Sequence, residues 1–143
     1  MSGSSPPNPN VKQVVPFFMV TIMDRSLAFY TEGLRFTLKN QWTVDGKIRW
    51  CWLELGGAAI MLQEYNPGRI PTQKLGEGTS IWFQCEDAIS LYREFRTRGI
   101  AASEPQVGNS MWDTMLSDPD GYRLHFESPT QLPEDTKLSE VQL

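Results

Sequence analysis

A repeated order of predicted secondary-structure elements is the feature that most constrains the fold of this chain. Hydrophobic alternation, helical periodicity and turn residues predict a strand, a helix and three strands, and then the same order again. The two halves align at an offset of roughly 62 to 64 residues, which indicates an internal duplication. Chance is the alternative, because any two such units share helix caps and turn glycines. The matched positions are Asp24 with Asp87, Tyr30 with Tyr92, Gly33-Leu34 with Gly99-Ile100, Trp50 with Trp112, and Gly57 with Gly121.

The repeat predicts an α+β fold made of two tandem βαβββ modules with antiparallel or mixed sheets. The first module takes in residues 11–66 and the second takes in residues 77–129, and a linker rich in Pro and Gly, residues 67–76, joins them. Residues 1–10 consist mainly of Ser, Pro, Gly and Asn and are predicted to be a disordered tail. Residues 130–143 are polar and are predicted to be a loosely packed C-terminal tail with a helical turn at most.

The last predicted hairpin surrounds the turn sequence DPDG, residues 118–121. If Asp118 pairs with Gly121, Thr114 lies opposite His125, and Trp112 lies opposite Glu127 on the same face. The other face then carries an apolar set suited to packing under a helix, Met115, Leu124 and Phe126. Asp113 shares this apolar face, which weakens the register assignment.

The hairpin of the first module turns at Gly56-Gly57. Pairing across this turn places Trp52 opposite Met61 and Trp50 opposite Gln63. Met61 and Gln63 therefore correspond to His125 and Glu127 of the second module. The alternation directs Cys51 toward the helix side of its strand, as a small core residue.

Asp24 and Asp87 precede the two predicted helices, and we expect them to be N-caps. The formal net charge of −4 argues against a nucleic-acid partner and favours a cationic ligand. No apolar run is long enough to span a membrane, and the N-terminus lacks a signal-peptide pattern. Two cysteines make no disulfide framework, so we expect a reduced, cytoplasmic protein.

The sequence resembles the vicinal oxygen chelate superfamily, which includes glyoxalase I, extradiol dioxygenases and bleomycin-resistance proteins. The resemblance rests on MDRSLAFYTEGLRF in the first helix, LGGAAIMLQE in the first hairpin and SDPDGYRLHFESP in the last hairpin. It covers roughly Val14 to Pro129. It implies two βαβββ modules whose curved sheets form a cleft, commonly in a homodimer.

Metal-dependent members of this superfamily carry four ligands, which fall here on Val15, Met61, Ser80 and His125. Val15 has no donor, Met61 offers a soft thioether and Ser80 a neutral hydroxyl, whereas divalent cations prefer imidazole, carboxylate or thiolate donors. We therefore expect no metal and no cofactor. The opening VVPFFMV and the segment RLHFES are similar to the metal-free bleomycin-resistance branch, whose members sequester a drug.

The same alternation defines a predicted cleft face that carries four tryptophans. Indole rings take stacked planar groups and attract cations, while a few polar groups orient a ligand. Beside Val15 and Thr114, the predicted ligand-binding residues are Phe17, Trp50, Trp52, Met61, Gln63, Ser80, Trp82, Gln84, Trp112, His125 and Glu127. The alternative is that some of these indoles only pack between modules or subunits.

These features predict non-enzymatic binding of a planar aromatic, cationic small molecule by a homodimer. One alternative is an enzyme of the superfamily, metal-free or with an atypical metal, that acts on a small carbonyl or aromatic metabolite. In that case His125 and Glu127 act as an acid–base pair. Otherwise His125 is hydrogen-bonded across the hairpin without a chemical role, and we assign no catalytic residue. A third alternative is an interaction module with no small ligand.

Overall fold

The structure is a computed structural model that describes residues 10–141. Almost all of the predicted disordered tail, residues 1–9, therefore lies outside the described residues. Each half contains one strand, one helix and three further strands, in the predicted order. The strands are β1 (Phe17–Val20), β2 (Thr37–Val44), β3 (Lys47–Leu55), β4 (Ala58–Glu64), β5 (Ser80–Gln84), β6 (Gln106–Gly108), β7 (Met111–Ser117) and β8 (Arg123–Pro129). The helices are α1 (Met23–Ala28), which continues as a π-helical turn over Phe29–Gly33, α2 (Ala88–Thr97), and a 3₁₀ turn over Leu138–Glu140.

The eight strands form two four-stranded sheets of equivalent topology. The first sheet has the order β1-β4-β3-β2 and the second has the order β5-β8-β7-β6. In each sheet the first strand of the module runs parallel to the last, and the other neighbours are antiparallel. This arrangement confirms the predicted α+β fold of two βαβββ units with mixed sheets.

One hydrophobic core joins the two modules. Inward side chains of both sheets pack in a single cluster with residues of the helices, including Tyr30 and Phe95. Aromatic pairs cross between the halves, because Phe18 stacks on Tyr122 at 4.2 Å and Phe36 meets Phe83 edge to face. The face of each sheet that points away from this core is its outer face.

The DPDG turn of the second module is bound to the first module. The carboxylate of Asp120 accepts hydrogen bonds from the backbone N–H of Thr21 at 3.0 Å and from its hydroxyl at 2.6 Å. The same carboxylate forms a 3.0 Å ion pair with Arg25. Asp118 accepts a 2.7 Å hydrogen bond from the buried hydroxyl of Tyr30. The turn therefore connects the halves as well as reversing the chain.

The two helices begin differently. Asp87 caps α2 by accepting a 3.0 Å hydrogen bond from the N–H of Ser90, as predicted. The prediction for Asp24 is wrong, because α1 already begins at Met23 and Asp24 lies in its first turn. The carboxylate of Glu64 in β4 lies at the start of the helix instead and accepts a 2.7 Å hydrogen bond from the N–H of Met23.

The C-terminal segment, residues 130–141, is docked against the second module, so its predicted loose packing is wrong. Its backbone pairs with β6 through an antiparallel bridge between Gln106 and Lys137. Its apolar side chains, among them Leu132 and Leu138, pack on the cluster that contains Trp112. The predicted helical turn is present over Leu138–Glu140. Within residues 10–141, no helix has the length and apolar character needed to cross a membrane.

Candidate functional site

The outer face of the first sheet carries the residues predicted for it. Trp52 pairs with Met61 and Trp50 with Gln63, so the register across Gly56-Gly57 is confirmed. Phe17 lies beside Met61 on the parallel neighbour β1. Val15 precedes this strand, which begins only at Phe17.

A further tryptophan, Trp42, joins this face because it pairs with Trp50 across β2 and β3. Its side chain is well exposed. Trp42 was not among the residues predicted for the cleft face. Asn40 and Trp42 are two residues apart in β2, so alternation places both on one face of the sheet and could have included Trp42.

In the second sheet the predicted register of the last hairpin is wrong by one residue. The N–H of Asp118 donates to the carbonyl of Tyr122 at 2.8 Å, so the loop is longer than the assumed two-residue turn. Met115 consequently pairs with His125, and Asp113 pairs with Glu127. Since side chains alternate along a strand, this one-residue shift exchanges the two faces of β7.

The shift removes Trp112 and Thr114 from the predicted site. Trp112 is only 5% exposed and packs against Ala88 and Ile89 at the start of α2. Thr114 is fully buried and donates its hydroxyl to the carbonyl of Ser103. Asp113 takes the place on the outer face that corresponds to Trp50 in the first module.

Trp82 and His125 are neighbours on parallel strands of the second sheet and stack on its outer face. Their rings are 3.7 Å apart and inclined by only 5°. The indole N–H of Trp82 donates to the hydroxyl of Ser80 at 2.9 Å, which fixes the plane of the ring. Trp82 nevertheless remains 48% exposed. Three of the predicted ligand-binding residues thus form one ordered group.

Two hydrogen-bonded pairs flank this stack. The Nδ1 atom of His125 lies 3.0 and 3.1 Å from the two carboxylate oxygens of Asp113. The Glu127 carboxylate accepts a 2.7 Å hydrogen bond from the amide of Gln84. His125 is therefore oriented by Asp113, whereas the sequence-based hypothesis paired it with Glu127.

A cavity of about 750 Å³ opens over this part of the sheet. Its walls come from β5, β6, β7, β8, the segment before β6 and the C-terminal segment. The lining residues are Trp82, Ser103, Glu104, Gln106, Val107, Gly108, Asn109, Asp113, Met115, His125, Glu127, Glu134 and Asp135. This volume is in the range of small-molecule sites.

The charged lining of the cavity is negative. It comprises five carboxylates, one histidine and, among the described residues, no lysine or arginine. Hydrogen bonds from the side chain and backbone of Ser139 hold the pKa of Glu104 below its ordinary value, so Glu104 is ionised at neutral pH. Such a surface attracts cations and repels anions.

The first-sheet residues do not line this cavity. Phe17, Trp50, Trp52, Met61 and Gln63 occupy the outer face of the other sheet, and the cavity lining runs from Trp82 to Asp135. One chain therefore does not bring the two predicted halves of the cleft together.

The positions where the superfamily's metal enzymes hold their ion do not suit a divalent cation here. Met61 presents a thioether, and the hydroxyl of Ser80 is engaged by Trp82. His125 is the one imidazole among these positions, and Asp113 at its Nδ1 leaves Nε2 free, so a metal ion would have this single strong donor. Across residues 10–141, no three His, Cys, Asp or Glu side chains converge as a metal-binding group. The donor set thus disagrees with the metal-dependent pattern.

Neither cysteine is prepared to act as a nucleophile. Burial raises the pKa of Cys51 to about 11, and this thiol lies in the core as predicted. Burial also raises the pKa of Cys85. A thiol that stays protonated at neutral pH is a poor nucleophile.

Solved structures with the same fold come from several bacteria. TnmS3, an antibiotic binding protein from Streptomyces sp. CB03234, is 21% identical with a TM-score of 0.65, and the match covers 86% of this chain and 100% of TnmS3. TioX from Micromonospora sp. ML1 is 18% identical with a TM-score of 0.65, over 83% of this chain and 99% of TioX. A glyoxylase/bleomycin resistance protein/dioxygenase domain from Frankia sp. EAN1pec is 21% identical with a TM-score of 0.68, over 85% of this chain and 95% of that domain.

A comparison with curated protein sequences gave no match. The sequence profile of one family, in contrast, matches residues 12–126, which is most of the chain and includes both sheets up to β8. The chain belongs to the Glyoxalase/Bleomycin resistance protein/Dioxygenase superfamily.

Proposed function

We propose that this protein binds a planar aromatic, cationic small molecule without changing it chemically, as the metal-free bleomycin-resistance branch of the superfamily does. The observation that carries the proposal is the exposed Trp82 ring, stacked on His125 beside a cavity whose charged lining is dominated by carboxylates. An indole held in a fixed plane offers a flat surface for stacking and an attractive face for a cation. TnmS3, a protein of the same fold, is an antibiotic binding protein, which is consistent with this proposal.

Trp82 supplies the stacking surface. His125 already covers one face of the indole, so a planar ligand packs on the part of the ring that remains exposed. Asp113 holds His125 in place, and Ser80 holds Trp82. The platform is therefore ordered before the ligand arrives, which lowers the entropic cost of binding.

Replacing the stacking ring tests the proposal directly. We expect Trp82→Ala to weaken binding of the planar cation proflavine by about five- to 150-fold, the equivalent of 1–3 kcal/mol for one aromatic stack. Ile70→Ala is a matched control, because Ile70 is likewise 48% exposed but lies in the linker. Calorimetry measures the affinities of the wild type and of both variants for proflavine and for bleomycin. Affinities no tighter than about millimolar, or an unchanged affinity of Trp82→Ala, would contradict the proposal.

Glu127 supplies negative charge at the cavity wall. Glu127→Gln keeps an acceptor for Gln84, removes the charge and should weaken proflavine more than its neutral three-ring analogue acridone. The effect should be larger at low salt, because added ions screen exposed charges. Glu32→Gln, on the exposed helical side of the first module, removes an equal charge away from the cavity. Equal losses for both dyes would argue against a role for this charge.

We further propose a homodimer in which the outer face of the first sheet in one subunit completes the cavity of the other. Phe17 and Trp42 are 46% and 57% exposed on that face. They lie on the two edge strands of the sheet, and the half-buried Met61, Trp52 and Trp50 lie on the strands between them. A sheet face with exposed aromatic side chains is typical of an interface. Light scattering should give the mass of a dimer at micromolar concentration, and Trp52→Ala should lower dye affinity although Trp52 does not line the cavity. A monomer at that concentration would contradict the assembly.

The Asp113–His125 pair supports a second candidate function, an enzyme that acts on a small carbonyl or aromatic metabolite. A carboxylate at Nδ1 orients an imidazole and leaves Nε2 as a general base. A substrate screen tests this candidate. Turnover that His125→Ala abolishes and Asp113→Asn reduces, with binding retained in both, would favour the enzyme over sequestration.

A further inference from the structure

We infer that the C-terminal segment, residues 130–141, forms a wall of the cavity and sets its preference for cationic over neutral ligands. This inference rests on the proposed function and adds to it the determinant of charge selectivity. The segment lies beyond residues 12–126, which match the family profile. The family profile therefore does not describe the segment's contribution to the cavity.

Backbone hydrogen bonds hold the segment against β6, the edge strand of the second sheet. The N–H of Val107 donates a hydrogen bond to the carbonyl of Thr136 at 2.8 Å. The carbonyl of Val107 accepts a hydrogen bond from the N–H of Asp135 at 2.9 Å. The N–H of Leu138 donates to Pro105 at 3.0 Å. The segment thus extends the sheet past β6, and an edge strand paired in this way is fixed in position.

Apolar side chains anchor the same segment from beneath. Leu132, Leu138 and Val141 pack on the cluster of Val107 and Trp112. Trp112, which the sequence suggested as a ligand contact, therefore supports the wall instead. Backbone pairing and this apolar anchor together place the segment rigidly beside the cavity.

The docked segment brings acidic side chains to the cavity. Glu134 and Asp135 both line it, and they account for two of its five carboxylates. Glu134 accepts the N–H of Asn109 with both oxygens, at 2.8 and 3.1 Å, which aims its charge at the β6–β7 turn. Ser139 donates to a third lining carboxylate, Glu104, at 2.7 Å. The segment therefore both adds negative charge and orients charge already present.

The test is the isosteric double variant Glu134→Gln/Asp135→Asn in the full-length chain. Gln at position 134 retains an acceptor for Asn109, and Asn tolerates the φ of 66° at position 135, so the segment stays docked. The matched control is Glu32→Gln/Asp45→Asn, which removes the same charge outside the cavity and places Asn at a comparable φ of 51°. Thermal unfolding verifies that both variants remain folded. Dye titrations at low and high salt measure the affinity of each variant for proflavine and for acridone.

We expect the double variant to bind proflavine about three- to tenfold more weakly at low salt, with acridone changed less than about twofold, because the two charges are exposed and each contributes modestly. The control variant should match the wild type. Unchanged proflavine affinity in the double variant, together with a loss in Trp82→Ala, would overturn this inference and leave the proposed function intact. Equal losses for both dyes would also overturn it. Failure of the wild type to bind either dye would contradict the proposed function and this inference with it.

Discussion

The hydrogen bond between Tyr30 and Asp118 should be one of the most sensitive points in the fold, and Tyr30→Phe isolates it. Tyr30 is fully buried and Asp118 is 4% exposed. Oδ1 of Asp118 accepts the N–H groups of Asp120 and Tyr122, each at 2.9 Å, and Oδ2 accepts the Tyr30 hydroxyl at 2.7 Å. Phenylalanine keeps the ring packing against Phe36 but leaves Oδ2 without this donor.

The expected loss depends on the charge of Asp118. A hydrogen bond to an ionised group contributes about 1.5–3 kcal/mol and one between neutral groups about 0.5–1.5 kcal/mol. Burial raises the pKa of Asp118 above its ordinary value, although the bond from Tyr30 lowers it. Because the pKa of Asp118 is higher in the folded than in the unfolded protein, protonated Asp118 favours the folded state at acidic pH. This contribution to the free energy of unfolding is lost as pH rises through the folded-state pKa. Removing the Tyr30 hydroxyl raises that pKa further, so Tyr30→Phe should cost more at pH 8 than at pH 4.

Urea unfolding at these two pH values, with Asp118→Asn as a second background, measures the effect. Asn retains Oδ1 as the acceptor for the N–H groups of Asp120 and Tyr122. Its amide NH₂ takes the place of Oδ2 and donates a hydrogen bond to the hydroxyl oxygen of Tyr30. Asp118→Asn should thus stay within about 1 kcal/mol of the wild type and show less pH dependence. A Tyr30→Phe loss below about 0.5 kcal/mol at both pH values, or an equal loss in the Asp118→Asn background, would refute this reasoning.

Three other substitutions or measurements follow from the packing. Gly76→Ala should destabilise the protein by about 1–3 kcal/mol in urea unfolding, because Gly76 has a φ of 78° and a Cβ there would lie 2.9 Å from the Gly121 carbonyl oxygen; an unchanged midpoint would contradict this. Cys51 should react with a thiol reagent only at the rate of unfolding, since it is buried and its pKa is raised to about 11; rapid reaction of both thiols in the native protein would contradict its burial. Trp112→Phe should cost about 1–2 kcal/mol of stability and leave proflavine affinity within about twofold, because Trp112 faces the core; a large affinity loss without loss of stability would return it to the binding site.

The first hairpin could be predicted to the residue, whereas the second could not. Gly56-Gly57 forms a short turn, and the pairs on either side follow from counting outward. At DPDG the side chain of Asp118 accepts backbone N–H groups within the loop, which draws Tyr122 into the turn and shifts the register. The sequence held one sign of this shift, because Asp113 fell on the predicted apolar face.

The C-terminal segment was beyond sequence reasoning for a different physical reason. Its position depends on backbone hydrogen bonds to Val107 and Pro105, and backbone groups leave no residue pattern. Its apolar residues, Leu132, Leu138 and Val141, are too widely spaced to indicate a strand or a helix. The fold and most of the outer-face residues therefore followed from periodicity, while the cavity wall required the tertiary structure.

The contacts of the DPDG turn also determine when the protein can finish folding during synthesis. Tyr30 lies 88 residues before Asp118, and Thr21 lies 99 residues before Asp120. The first module therefore leaves the ribosome well before the groups that satisfy its buried hydroxyl and its β1–α1 connection exist. Since ribosomes add about 5–20 residues per second, the first half spends several seconds without these partners. Native stability is thus reached only after the last hairpin has been translated, and an amino-terminal half made alone should be an incomplete fold.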